Sequence, residues 1–119
     1  HAKNINEISN VEFDKVIKVQ IRNINRVIEE NFLGTPNLLS IDVEGLDLSI
    51  LNTLDFDRFS PEVICAEITK IDDFNNIVHN EELIDFLLSK GYYKYADTFI
   101  NGIFINTDLY RNSFPKWFK

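Results

Sequence analysis

Three carboxylates define the chemistry open to this chain: Asp42, Glu44 and Glu67. Asp42 and Glu44 close the run Leu38-Leu39-Ser40-Ile41-Asp42-Val43-Glu44-Gly45, and Glu67 closes Val63-Ile64-Cys65-Ala66-Glu67. A short unbroken apolar run reads as a strand buried on both faces, as in a parallel sheet. Residues two apart on a strand project to the same side, so Asp42 and Glu44 are expected to share a face. Each run ends in acid at its carboxyl end, the edge where open α/β sheets place their ligands. A carboxylate there can orient or deprotonate a hydroxyl, or hold a divalent cation. The plain alternative is a set of solvated strand-end acids, with Glu67 paired to a neighbour such as Lys70.

Other reactive types carry less. Asp47 reads as a helix-start acid, placed where the helix dipole favours an anion, and Gly45 as a residue chosen for turn geometry. His79 reads as a solvated histidine beside a helix cap. No second histidine or cysteine stands at ligand spacing, so nothing supports a zinc site. The single Cys65 lies between apolar neighbours, reads as a small core residue and allows no internal disulfide. Tyr92, Tyr93, Tyr95 and Phe99 alternate imperfectly and read as sheet core and rim rather than as a stacking platform for bases.

The composition narrows the partners. At 119 residues and 45% hydrophobic, the chain is one globular domain or part of one. A net charge of −7 argues against nonspecific binding to nucleic acid or anionic lipid, because both need clustered cations. A small or neutral substrate fits better. No apolar run approaches the roughly 20 residues of a membrane span and no signal peptide is visible, so the cytoplasm is the default. The sequence has no methionine, and His1 is read as a cloning remnant or a cut into a longer protein.

The elements that must position these acids follow from periodicity. Residues 15–21 alternate loosely and predict a short strand. Asn23 is expected to cap a helix over residues 24–32, ended by Gly34 and Pro36. The first buried strand spans residues 38–43. Leu46, Ile50, Leu51 and Leu54 then recur at helical spacing. Pro61 opens a second buried strand over residues 62–68. Residues 71–78 show no period and read as a loop. Asn80 caps a helix with apolar Leu83, Ile84, Leu87 and Leu88, acids in its first turn and Gly91 just past its end. Strand-like runs at 92–99 and 102–106 follow, and Asn101-Gly102 signals a hairpin. Residues 111–119 form a basic, aromatic tail.

Strand, helix, strand, helix, strand, helix and hairpin, in that order, resembles the second half of the S-adenosylmethionine-dependent methyltransferase fold. Ser40-Ile41-Asp42-Val43-Glu44-Gly45-Leu46-Asp47-Leu48, then Ile50-Leu51 and Leu54, then Pro61-Glu62-Val63-Ile64-Cys65-Ala66-Glu67 resembles the closing motif block of FkbM-type methyltransferases. That family carries an "IDVEG" core, a leucine-rich helix and a "P-x-V-I-x-x-E" strand. The stretch from Val19 to Glu30 is similar to its lead-in. The resemblance implies half of a Rossmann-like α/β sheet, mostly parallel, ending in an antiparallel hairpin. It also implies methyl transfer to a hydroxyl of a sugar or other small metabolite, with Asp42, Glu44 and Glu67 facing the catalytic cleft.

One feature of the family is missing. Its first half carries a glycine-rich turn that lets backbone approach the methyl donor. Here Gly34, Gly45, Gly91 and Gly102 stand apart, with no Gly-x-Gly. The expectation is a carboxyl-terminal portion of a methyltransferase whose S-adenosylmethionine site belongs to the intact parent, with no cofactor bound by this chain and no activity alone. The strand at 38–43 would then have an open edge, with Leu38, Leu39 and Ile41 inviting self-association. Two other readings compete. One is a noncatalytic α/β interaction module. The other is a metal-dependent nuclease built on Asp42, Glu67 and Lys70, against which stand the acidic charge and an acid-to-lysine spacing one residue too long.

Overall fold

The computed structural model describes residues 16–113. The first helix, α1 (Ile24–Asn31), starts where expected: Asn23 is extended, and its side-chain oxygen accepts the N–H groups of Asn25 and Arg26. That satisfies two donors the first turn would otherwise leave unpaired. The helix stops at Asn31, with Phe32 extended and its N–H donated to Ile28. Gly34 is not in a left-handed conformation, so chain direction at Phe32, not a glycine cap, ends it. The strand expected over residues 15–21 is absent from its described part, residues 16–21. Val16, Ile17, Val19 and Ile21 are exposed there, and no ladder partner supports them.

The main sheet has the order β1-β2-β6-β5, from strands β1 (Leu38–Ile41), β2 (Val63–Glu67), β5 (Tyr92–Asp97) and β6 (Asn101–Asn106). β1 and β2 are parallel, with Ile41 opposite Ala66. β6 pairs antiparallel with both β2 and β5. The sheet is therefore mixed rather than mostly parallel: the β5–β6 hairpin turns its second strand inward, beside β2. The connection between β1 and β2 holds helix α2 (Asp47–Thr53), and helix α3 (Glu81–Ser89) precedes β5. A last helix, α4 (Thr107–Ser113), runs on from β6. Residues 114–119 of the expected aromatic tail lie outside the described residues.

One face of this sheet carries the core. Ile41, Ile64, Ala66, Tyr92 and Phe104 pack against Leu51 of α2 and Leu83, Ile84 and Leu87 of α3. A satellite cluster of Ile28, Leu54 and Phe59 docks α1. Asn25 fastens that dock, donating to the Thr53 carbonyl at 2.7 Å and accepting the Asp55 N–H at 2.8 Å. Arg58 adds an ion pair to Glu29. The other face is only half covered. Cys65 lies there, half-buried and opposite Ile103, instead of in the main core. β1 is likewise not buried on both faces: Leu38 is 60% exposed and Ser40 is open, because β1 is the outer strand.

Two turns differ from expectation. Residues 71–78 are not a loop but form most of a second hairpin, β3 (Thr69–Ile71) and β4 (Ile77–His79). Its tip is built by Asp72, whose carboxylate accepts the N–H groups of Phe74 and Asn76 at 2.9 and 2.8 Å. The β5–β6 turn falls at Phe99-Ile100, where Thr98 N–H donates to Asn101 O at 2.9 Å. Asn101-Gly102 lies in the ladder instead, with Gly102 opposite Ala66. Glycine is required there by packing, since a Cβ would stand 2.7 Å from the Phe104 ring and 2.8 Å from Ile68 Cγ2.

Candidate functional site

β1 ends at Ile41, so Asp42 and Glu44 lie beyond the strand and share no strand face. The chain instead turns through Val43-Glu44-Gly45-Leu46, with Leu46 N–H reaching Val43 O at 3.4 Å. Glu44 at φ +50° and Gly45 at φ +89° are both left-handed. Glycine adopts that conformation freely; glutamate does so at a cost of about 1–2 kcal/mol. The turn presents the Glu44 side chain outward and sets Leu46 before α2, where it is exposed rather than core.

Asp47 was expected to be an ordinary helix-start acid, yet it is only 3% exposed. Its Oδ2 accepts the Val43 N–H at 3.4 Å, while Oδ1 has no hydrogen-bond partner among the described residues. Its one bond reaches back across the turn, tying the start of α2 to the end of β1. Glu67 sits at the carboxyl end of β2, paired in the ladder with Asn101. Its Oε1 accepts the Thr69 hydroxyl at 2.8 Å, and no Glu67–Lys70 ion pair forms among the described residues.

These elements enclose an open cleft of about 510 Å3 at the carboxyl ends of β1 and β2. Glu44, Gly45 and Ser49 line one side; Glu67, Thr69 and Lys70 line another, with Asn80 and Glu82 from the start of α3. The structure thus brings Glu44 and Glu67 to one cavity. Asp42 is exposed beside it and is not part of the lining. Thr69, Asn80 and Glu82 were not read from sequence as site residues. The signal for the missed hairpin was present: Asp72 and Asn76 are residues whose side chains build turns, flanked by Ile71 and Ile77. Among the described residues, no three His, Cys, Asp or Glu side chains gather closely enough to hold a metal ion.

The charged groups around the hairpin tips are held in place. Asn76, through its N–H and its side-chain amide, holds the Asp72 carboxyl below the usual carboxylate range. Asp97 is lowered too, first by the Lys94 ammonium at 2.9 Å and then by the Phe99 N–H. His79 ends β4 opposite Thr69 and directly precedes Asn80, the cap of α3, as expected; it is not freely solvated, because Nε2 lies 3.8 Å from Asp97 Oδ2.

Comparison with known proteins returns one family. The model of the methyltransferase FkbM domain matches residues 2–93. No curated protein and no solved structure gives a match. The family match runs through α1, both acid-bearing strand ends and α3, and it stops as β5 begins. No helix among the described residues is long and apolar enough to cross a membrane. The chain belongs to the FkbM methyltransferase domain family.

Proposed function

We propose that this member of the family serves methyl transfer from S-adenosylmethionine to a hydroxyl oxygen of a sugar or other small metabolite, in the cytoplasm. Transfer of this kind needs in-line alignment of two bound partners and an acceptor for the hydroxyl proton. The residues here suit the second task. Glu67 is the proton acceptor, steadied by the Thr69 hydroxyl; Glu44, across the cleft, orients the acceptor; Asp42 stands outside as a second anchoring acid. The observation that carries this reading is the meeting of Glu44 and Glu67 in one cleft at the carboxyl ends of the parallel pair.

The methyl donor does not fit the described residues. Gly45 sits in an isolated turn and Gly102 is filled by its neighbours, so no glycine-rich surface is offered to a nucleotide. We therefore assign acceptor binding and proton removal to this chain and the donor site to a preceding half-domain, without which the chain is inactive. The strand order supports that division, because β1 occupies an edge with nothing beside it among the described residues. The same open edge at residues 38–43 supports self-association of the chain. A sharp monomer in sedimentation at high concentration would argue against it.

The gene upstream of the codon for His1 is the first test. A strand leading into a glycine-rich turn, then an acid about 20 residues on, is expected; an unrelated domain would overturn the reading. In the full-length enzyme, Glu67→Gln is expected to lower methyl transfer by about 100-fold or more. Unchanged turnover would remove Glu67 from the chemistry.

A further inference from the structure

The acid-lined cleft continues into a second groove of about 250 Å3, with which it shares Glu67, Thr69, Lys70 and Ile71. The remaining walls of that groove are apolar: Ile77 from the β3–β4 hairpin, and Phe99 and Ile100 from the β5–β6 turn. Ile71 is 70% exposed, Ile77 64%, Phe99 65% and Ile100 53%. Large apolar side chains gathered in this way are uncommon on a soluble surface unless something covers them. The presentation is also enforced. Phe99 is held at φ +76°, a region bulky residues avoid. Its N–H is fixed by Asp97 at 2.9 Å, and Asp97 is in turn held by Lys94.

We propose that this groove is an apolar subsite for the acceptor. The molecule methylated is a neutral amphiphile, with its hydroxyl at Glu67 and a hydrocarbon ring or chain against Ile71, Ile77, Phe99 and Ile100. The proposal rests on the methyltransferase reading of the cleft. Size argues for part of a small molecule: the groove falls below the roughly 300 Å3 at which whole-ligand pockets begin. Continuity through Glu67 argues that one ligand spans both cavities. Charge argues against an anionic ligand, because Glu44, Glu67 and Glu82 outnumber Lys70 around the polar half and the chain carries −7.

The test is binding of matched alcohols to the full-length protein, by calorimetry and by chemical-shift perturbation. Methyl β-glucoside and octyl β-glucoside, the latter below its micelle-forming concentration, share one hydroxylated head and differ only in the apolar tail. The octyl compound is expected to bind at least tenfold more tightly. Ile77→Ser and Ile100→Ser should each remove most of that preference, and Leu33→Ser, at an exposed position far from the groove in sequence, should leave it intact. Equal affinity for the two glucosides, no binding of either, or a preference that survives both groove variants would each overturn the subsite. Methyl transfer is measured in parallel and separates the two failures. A tail preference without transfer from S-adenosylmethionine to any hydroxyl probe would leave the groove standing and overturn the catalytic reading. Transfer with no tail preference would do the reverse.

Discussion

The two ends of the main sheet are built on opposite principles. At the end where β2 begins and β6 finishes, polar groups are buried and bonded to one another. Tyr92 is 2% exposed, donates its hydroxyl to the Pro61 carbonyl at 2.7 Å and meets Ser60 Oγ at 3.3 Å, while Asn106 Nδ2 donates to the same Ser60 oxygen at 3.0 Å. Burial holds the Tyr92 phenol above its ordinary pKa, opposed by its Ser60 and Asn106 hydrogen bonds. At the other end lie the open cleft, the apolar groove and two hairpin tips. Every described non-glycine residue with positive φ, Glu44, Asn75 and Phe99, is found there. One end holds the fold and the other carries backbone strain, which packed sheets tolerate where something else over-determines the geometry. The lesson is a division of labour: the Tyr92 network and the core anchor the strands, leaving their far ends free to hold acids and apolar surface in costly conformations.

Substitutions can break that division. Tyr92→Ala removes a buried ring that stands 6.0 Å from Phe56, along with its hydrogen bonds. It is expected to cost about 3–5 kcal/mol in urea unfolding. A cost below about 1 kcal/mol would show that this end is not the anchor. Gly102→Ala forces a methyl against Phe104 and Ile68 and should cost about 1–3 kcal/mol. It lies at the open end but in the ladder, so a neutral result would mean the groove walls yield and the two ends are less distinct than drawn. Glu44→Gly, which relieves a left-handed glutamate, is expected to stabilise by less than about 1 kcal/mol. A loss of stability instead would show that the left-handed backbone at Glu44 carries no strain to relieve.

The smallest effect is electrostatic. Asp97 is depressed chiefly by Lys94. Its stabilising contribution is therefore present above the ordinary carboxylate value and lost as pH falls through the lower folded one. Lys94→Ala should return the Asp97 carboxyl toward the usual value near about 3.9, as read by NMR titration. An unmoved titration would remove Lys94 as the chief cause and leave the Phe99 N–H bond as the group that holds Asp97 low.

Local signals in the sequence were enough for much of this protein. Asn23 and Asn80 capped their helices because a side-chain oxygen beside the first turn satisfies unpaired N–H groups whatever surrounds it. Gly91, at φ +85°, ended α3 for an equally local reason. The apolar runs marked β1 and β2, and Glu44 and Glu67 near their carboxyl ends line one cleft. Other features depended on contacts distant in sequence. The alternation at residues 16–21 found no partner strand among the described residues and stayed exposed. Asn101-Gly102 carries a strong turn signal, yet Ile68 and Phe104 claim the glycine for close packing and the chain turns at Phe99-Ile100 instead.

The site divided in the same way. Residue type singled out Glu44 and Glu67 as candidates, since an acid at a strand's carboxyl end must be solvated, paired or used. Their meeting in one cleft depended on the parallel register of β1 with β2, which brings two strand ends far apart in the chain to the same edge. Asp42 was placed outside that cleft because β1 stops at Ile41 and the left-handed turn redirects the backbone. The apolar groove is wholly tertiary: Ile77 and Phe99 come from separate hairpins, and no period or motif in either segment marks a shared wall. Capping and burial act within a few residues and can be read along a chain, whereas register, hairpin placement and the space between two loops exist only once the strands have paired.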